Sequence, residues 1–157
     1  MSLITHPAPS DGVSRAATVA APPPVPMATP LTRPFWDGCD RQRLMLQRCA
    51  ACERLRFYPS ESCPHCGTVG GDWVEISGRG TLYSWIVVHK SADAYWRNRV
   101  PYVSAIVELA EQPRLFMPGL LGVAGSDALR ADLPLQVTFT ESAPGRWLPL
   151  WRPVAAT

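Results

Sequence analysis

Long hydrophobic runs and a strong net charge are both missing from this sequence. No apolar run approaches the roughly 18 residues that a membrane-spanning helix needs. The start of the chain has no basic segment followed by an apolar one, so we expect no signal peptide. The formal net charge of +2 is too small to indicate a nucleic acid or a membrane surface as partner. With 157 residues, the chain is long enough for one ordinary domain or two small ones.

Histidine and lysine are scarce. Of the three histidines, only His89 lies outside the N-terminal arm and the cysteine cluster, and it has no evident catalytic partner. No motif supplies a nucleophile–base pair, paired carboxylates or an open metal site, so we expect no active site. The 15 basic residues include a single lysine, and the others are arginines. We attribute this excess of arginine to codon usage rather than to phosphate binding.

Four of the five cysteines form two CxxC hooks. Cys49 and Cys52 make the first, and Cys63 and Cys66 make the second. Two such hooks bring four thiolates to one ion at about 2.3 Å, and this closed tetrahedral sphere leaves no position for substrate. The spacing therefore predicts one structural Zn²⁺ per chain. Thiols committed to a metal also indicate a reducing compartment, and we expect a cytoplasmic protein.

Other uses of the paired hooks have less support. Disulfides would suit an exported scaffold, and a thioredoxin-like CxxC requires a βαβ context that this sequence lacks. A rubredoxin-like iron site uses the same four thiolates, and that alternative stays open.

Residues 1–33 differ in composition from the rest of the chain. They contain seven prolines and only three charged residues. Their apolar surface is too small to offset the entropy lost on ordering, so we predict a disordered Pro/Ala-rich arm.

The remaining chain predicts a mostly β protein with two parts. Residues 34–72 should form a short helix over 34–41 and a zinc ribbon with strands at 43–48 and 54–57. Residues 73–157 should form the second part, with a short strand at 73–76, a helical turn at 126–130 and five longer strands. We place these five strands at 81–89, 100–109, 114–117, 135–140 and 147–153. A helical turn between the third and fourth strands is the plan of an OB-fold barrel.

Several motifs occur in an order that resembles a known family. These are Pro34–Gly38, Leu46–Cys52, Cys63–Gly67, Gly78–Ser84, Val87–His89, Pro101–Val103 and Leu148–Pro153. Together they resemble the zinc-ribbon/OB-fold proteins grouped as a domain of unknown function and associated with acyl-CoA enzymes. The likeness covers residues 34–155 and departs from the family pattern at 94–99.

The resemblance implies a non-catalytic, acyl-CoA-binding or scaffolding subunit. Members of that family accompany thiolases, thiolase-like aldolases, acyltransferases or acyl-CoA hydratases. The resemblance further implies that the OB domain helps to hold coenzyme A, while the ribbon and the N-terminal helix dock on the enzyme. The chain would then belong to a hetero-oligomer with a thiolase-fold enzyme or a hydratase.

Aromatic and basic residues suggest where binding occurs. Large aromatic side chains are favoured interface anchors, and we expect Phe35 and Trp36 to contact a partner. Basic and aromatic residues also interleave after the longest strand, where they would hold coenzyme A: Lys90, Tyr95, Trp96, Arg97 and Arg99. The same mixture on an OB surface binds single-stranded nucleic acid, which is the alternative function. Five arginines surround the first hook, either to balance the charge of the metal centre or to bind phosphates: Arg41, Arg43, Arg48, Arg54 and Arg56.

Overall fold

One α-helix, one short 3₁₀ helix and eight strands are the regular elements in the described part of the chain. The structure is a computed structural model and describes residues 21–123 and 125–154. Most of the predicted arm, residues 1–20, lies outside the described residues. The elements in chain order are α1 Arg33–Asp40, β1 Met45–Arg48, β2 Leu55–Arg56, β3 Asp72–Glu75, β4 Arg79–Val88, β5 Tyr102–Leu109, β6 Phe116–Leu121, β7 Pro134–Ala143 and β8 Arg146–Pro153.

The first sheet has three antiparallel strands in the order β2-β1-β3. Leu46 in β1 is buried and pairs with Val74 in β3. Helix α1 precedes this sheet, and a Cβ on Gly38 would collide with the side chain of Met45. Only glycine therefore allows the helix to lie this close to β1. The boundary that we predict between residues 72 and 73 falls inside β3. This strand pairs with β1 and therefore belongs to the sheet of the ribbon.

The second sheet closes into a barrel with the order β4-β5-β6-β8-β7. Neighbouring strands are antiparallel except for β6 and β8, which pair in parallel through Leu120 and Leu121. Alternate residues of β5 are buried, as expected for a strand with one face toward the barrel interior. The core includes Leu82, Val107, Leu135 and the fully buried Trp151. The predicted mostly β fold with a five-stranded barrel is confirmed.

The predicted helical turn at 126–130 is wrong. The segment forms a turn with one bond, from Leu129 N–H to the Ser126 carbonyl at 3.0 Å, and no helix is assigned to the residues described between β6 and β7. The residues that follow make hydrogen bonds to β4 instead of helical ones. Asp132 N–H donates to the Leu82 carbonyl, and Leu82 N–H donates to the Leu133 carbonyl, both at 2.9 Å. The end of the connection, at Asp132 and Leu133, therefore extends the pairing of β7 with β4.

Side chains join the ribbon to the barrel at two points. Gln112, between β5 and β6, accepts from Leu55 N–H at 3.0 Å and donates to the Leu55 carbonyl at 3.2 Å. Asp40, at the end of α1, accepts from Trp147 N–H at 3.0 Å and forms an ion pair with Arg146, also at 3.0 Å. The ribbon is thus fixed to the β5–β6 hairpin and the helix to the β7–β8 hairpin.

Candidate metal centre and binding surface

Each CxxC hook forms a tight turn that directs two thiols to the same point. In the first, Glu53 N–H donates to the Cys49 carbonyl at 3.0 Å, and in the second, Gly67 N–H donates to the Cys63 carbonyl at 2.9 Å. Glu53 and Gly67 follow the second cysteine of their hooks and have φ values of 58° and 75°. This left-handed backbone turns the chain back after each hook.

The four sulfurs have the spacing of a tetrahedral metal site. Cys49 Sγ lies 3.6 Å from Cys66 Sγ, and Cys52 Sγ lies 3.7 Å from Cys63 Sγ. All four lie within 4.8 Å of one another. A regular tetrahedron with metal–sulfur bonds of about 2.3 Å has edges of about 3.8 Å, so the four cysteines fit Zn²⁺.

Local hydrogen bonds favour the thiolate at part of the centre. The Thr68 hydroxyl and its N–H lower the pKa of Cys66 to about 6, and the His65 N–H lowers the pKa of Cys63. The Arg54 N–H also lowers the pKa of Cys52, but burial and the three other thiols together raise it to about 11. Metal ligation requires the deprotonated form of each cysteine, so binding of a cation and formation of the thiolates stabilise each other at this centre.

The fifth cysteine is separate from this centre. Cys39 is fully buried in α1. Burial, and then the Asp40 carboxylate, raise the pKa of its thiol to about 12. At neutral pH this side chain is a protonated, apolar core group.

The arginines around the first hook have different roles. Arg56 is buried, and its guanidinium donates to Gln47 Oε1 at 2.9 Å and to the Gly70 carbonyl at 2.8 Å. Gln47 Oε1 also accepts from Ser60 N–H at 2.9 Å. Arg43, which precedes β1, forms an ion pair with Glu75 at the end of β3. The buried Arg56 is therefore a structural link within the ribbon rather than part of an exposed phosphate site.

The loop between β4 and β5 carries the predicted basic and aromatic group. The Asp93 carboxylate accepts from the N–H groups of Tyr95 and Trp96 at 2.9 and 3.1 Å, and a 3₁₀ turn follows at Trp96–Asn98. Arg97 donates to the Ala92 carbonyl at 2.9 Å, and Arg99 donates to the Tyr95 carbonyl at 2.7 Å. The Arg99 guanidinium also lies 3.7 Å from the centre of the Tyr95 ring. Lys90 is exposed at the start of the loop.

Trp36 and the aromatic residues of this loop line one groove, which we call the aromatic groove. Its volume is about 230 Å³. Trp36 comes from α1, and Tyr95 and Trp96 come from the β4–β5 loop. Sequence reasoning missed the contribution of the strands, Leu120 in β6, Thr140–Ser142 in β7 and Leu148–Leu150 in β8, because residues of distant strands meet only when the barrel closes.

Phe35 does not lie on that surface. Its side chain is only 5% exposed, and its ring packs against Trp36 at 4.8 Å and against Phe57 at 5.8 Å between ring centres. The structure buries most of Phe35 but also places it at the wall of a second apolar cleft, so the predicted contact of Phe35 with a partner stays a prediction. The helix turns Phe35 into the core and leaves Trp36 partly exposed beside it.

Two family models match the two parts of the chain. Residues 36–69 match the ChsH2 rubredoxin-like zinc ribbon domain, and residues 73–140 match the ChsH2 C-terminal OB-fold domain. The chain belongs to the ChsH2 family.

Proteins similar to this chain support the assignment. The chain is 41% identical over 120 residues to the "probable enoyl-CoA hydratase alpha subunit" of Thermomonospora curvata, a match covering 76% of this chain but only 36% of that protein. It is 33% identical over 91 residues to a "DUF35 domain-containing scaffold protein" of Methanothermobacter thermautotrophicus, covering 57% of this chain and 67% of the relative. A chain in the solved structure "Ltp2-ChsH2(DUF35) aldolase" matches with a TM-score of 0.73 and 34% identity, covering 82% of this chain and 98% of that one.

Among the residues that the structure describes, no helix has the length and apolar character to cross a bilayer.

Proposed function

We propose that this ChsH2-family chain is a non-catalytic subunit that docks on an acyl-CoA enzyme and helps to hold coenzyme A. The enzyme would be of the thiolase, aldolase, acyltransferase or hydratase type. The ribbon, organised by one Zn²⁺, positions the docking surface, and the barrel supplies the loop for the ligand.

The observation that carries this proposal is the match to a chain of the Ltp2-ChsH2(DUF35) aldolase structure, which extends over 98% of that chain. A scaffold protein and a hydratase subunit among the relatives are consistent with the same role. The chain spans about a third of the hydratase relative, and the activity of that longer protein need not reside in the matched part.

The aromatic groove supports docking on a larger protein. Trp36 and Trp96 are both partly exposed, and a second apolar cleft of about 230 Å³ adjoins Trp36 and Pro149 on the side of Tyr58. Tyr58 itself is 67% exposed. Partly exposed tryptophans beside apolar clefts are the usual anchors of protein interfaces.

The exposed cations of the β4–β5 loop support a role in holding coenzyme A. Arg97 and Arg99 each use one terminal nitrogen in bonding to the loop's own carbonyls. Each guanidinium has five N–H groups, so others remain for phosphate oxygens. The internal bonds hold the two side chains in place, which lowers the entropy lost when a ligand binds.

A reconstitution experiment tests the docking. The chain is co-expressed with candidate thiolase-fold and hydratase-type enzymes of the same genome, and complex formation and acyl-CoA turnover are measured. We expect the two proteins to co-purify, the chain alone to show no turnover, and Trp36→Ala to weaken the complex at least tenfold. Tyr83→Ala is the matched control, because Tyr83 is 58% exposed and lies outside the groove. Acyl-CoA turnover by the isolated chain at roughly 1 s⁻¹ or faster would refute the non-catalytic role.

A titration of the complex distinguishes coenzyme A from a single-stranded nucleic acid. One compact ligand engages few phosphates, so its affinity should fall only slightly with salt and should weaken in Arg97→Ala and Arg99→Ala. A single strand that spans several phosphates would instead show a steep loss, with a slope near −0.7 per contact in log affinity against log salt. Steeply salt-dependent oligonucleotide binding with no coenzyme A binding would favour the alternative function.

A further inference from the structure

Residues 23–26, which we call the proline strap, show a three-residue burial pattern. Pro23 and Pro26 are partly buried, while Pro24 and Val25 are exposed, Val25 by 47%. The segment has no regular secondary structure, and its sequence favours polyproline II geometry. That helix repeats every three residues, so the first and last positions of Pro-x-x-Pro lie on one face. The partly buried face of the strap is therefore turned toward the folded body.

The surface next to the strap is the aromatic groove. Pro23, Pro24 and Pro26 line this groove together with Trp36, Tyr95 and Trp96. The two tryptophans belong to different elements, and Tyr102 in β5 supports Trp96 at 4.8 Å between ring centres. Proteins that bind proline-rich segments use shallow grooves of this kind, in which aromatic rings pack against the prolines of a preformed extended helix.

A short turn fixes the strap close to the groove. Arg33 N–H donates to the Thr29 carbonyl at 2.8 Å, and Thr29 N–H donates to the Thr32 hydroxyl at 2.9 Å. Only two residues separate Pro26 from this turn at the start of α1. A tether of this length gives the strap a high effective concentration at the groove, so even a weak contact keeps it in place.

We propose that the aromatic groove is a polyproline-binding surface and that the proline strap is its built-in ligand. Pro23 and Pro26 supply the contact, and Trp36 and Trp96 supply the aromatic wall. An external partner that needs the same tryptophans must displace the strap. This competition rests on the proposed function, whereas the seating of the strap concerns the chain alone.

The seating is tested on the full chain labelled with 5-fluorotryptophan. The ¹⁹F resonances of Trp36 and Trp96 are assigned by Trp→Phe substitutions, and fully buried Trp151 is the internal reference for the fold. Pro23→Ala/Pro26→Ala should shift the resonances of Trp36 and Trp96 and leave that of Trp151 unchanged. Pro22→Ala/Val25→Ala is the matched control, because both side chains are exposed and neither lines the groove. It should leave all three resonances unchanged.

A peptide of residues 21–29 then tests the groove as a binding surface. Added to the Pro23→Ala/Pro26→Ala chain, it should return the Trp36 and Trp96 resonances toward their wild-type positions, and a peptide with alanine at both positions should not. Equal spectra for the wild type and Pro23→Ala/Pro26→Ala would overturn the proposal. Wild-type resonances that move with protein concentration would also overturn it, because the ligand would then be the strap of a second copy.

Discussion

Two residues at equivalent positions of the hooks show how backbone geometry limits the choice of side chain. Glu53 and Gly67 both have left-handed φ values, but only glycine takes that conformation without strain from a Cβ. A Cβ on Gly67 would meet no atom within 4 Å. Substitution at Gly67 therefore tests backbone conformation without a packing contribution.

We expect Gly67→Ala to lower the free energy of unfolding of the zinc-loaded protein by about 1 kcal/mol and Glu53→Gly to raise it by about 0.5–1 kcal/mol. Urea titration of both variants measures the change. Gly125→Ala is the control, because Gly125 also has open space around it but no left-handed φ, and it should change stability little. A Gly67→Ala protein as stable as the wild type would show that the second hook does not need this geometry.

At the scale of elements, the ribbon is held on the barrel by a side chain that imitates a strand. Gln112 exchanges two hydrogen bonds with the backbone of Leu55 in β2, just as a neighbouring strand residue would.

Gln112→Ala removes both bonds and leaves the Leu55 groups without these partners, which should lower the free energy of unfolding by about 1–3 kcal/mol. We expect faster amide exchange across β2 and unchanged exchange in β7 and β8. Gln112→Glu keeps an acceptor and loses the donor, so its effect should be smaller. Unchanged exchange in β2 in both variants would contradict this role.

The elements differ in how far the sequence could predict them. The spacing of Cys49, Cys52, Cys63 and Cys66 predicted the metal centre because two short hooks constrain the four thiols locally. Alternation and β-branched runs predicted the barrel strands, since each strand carries its own burial pattern. The prediction of a helical turn at 126–130 was wrong, since the chain there forms a simple turn and then continues into Asp132 and Leu133, which bond to Leu82 in β4. A local propensity cannot show such a distant contact.

The sequence could not predict the contacts between elements either, because these contacts join residues that are far apart in the chain. Leu55 and Gln112 are 57 residues apart, and Asp40 and Trp147 are 107 residues apart. Phe35 and Trp36 are adjacent aromatic residues, and only the packing of α1 against the ribbon decides that the first enters the core. The aromatic groove likewise exists only after the helix, the β4–β5 loop and β8 have come together.

At the scale of the whole molecule, the two parts differ in what stabilises them. The barrel closes on itself and contains most of the buried core. The ribbon has three short strands, one of only two residues, and so small a sheet does not bury enough surface to be stable alone. Four thiolates on one cation supply the missing free energy, as in other small metal-dependent units.

Metal removal should therefore unfold the ribbon and leave the barrel intact. We expect elemental analysis of reduced protein to find one zinc per chain, and Cys52→Ser or a strong chelator to release it. Hydrogen exchange should then rise in β1–β3 while β5 and β7 stay protected. The metal-free chain should also fail to bind the proposed partner enzyme, since Trp36 packs on Phe35, which in turn contacts Phe57 in the ribbon. Tyr83→Ala with zinc bound should still form the complex, which separates loss of the ribbon from general damage. Reduced protein without any metal would contradict the zinc assignment. If metal removal raised amide hydrogen exchange in the barrel as much as in the ribbon, the two parts would not be stabilised independently.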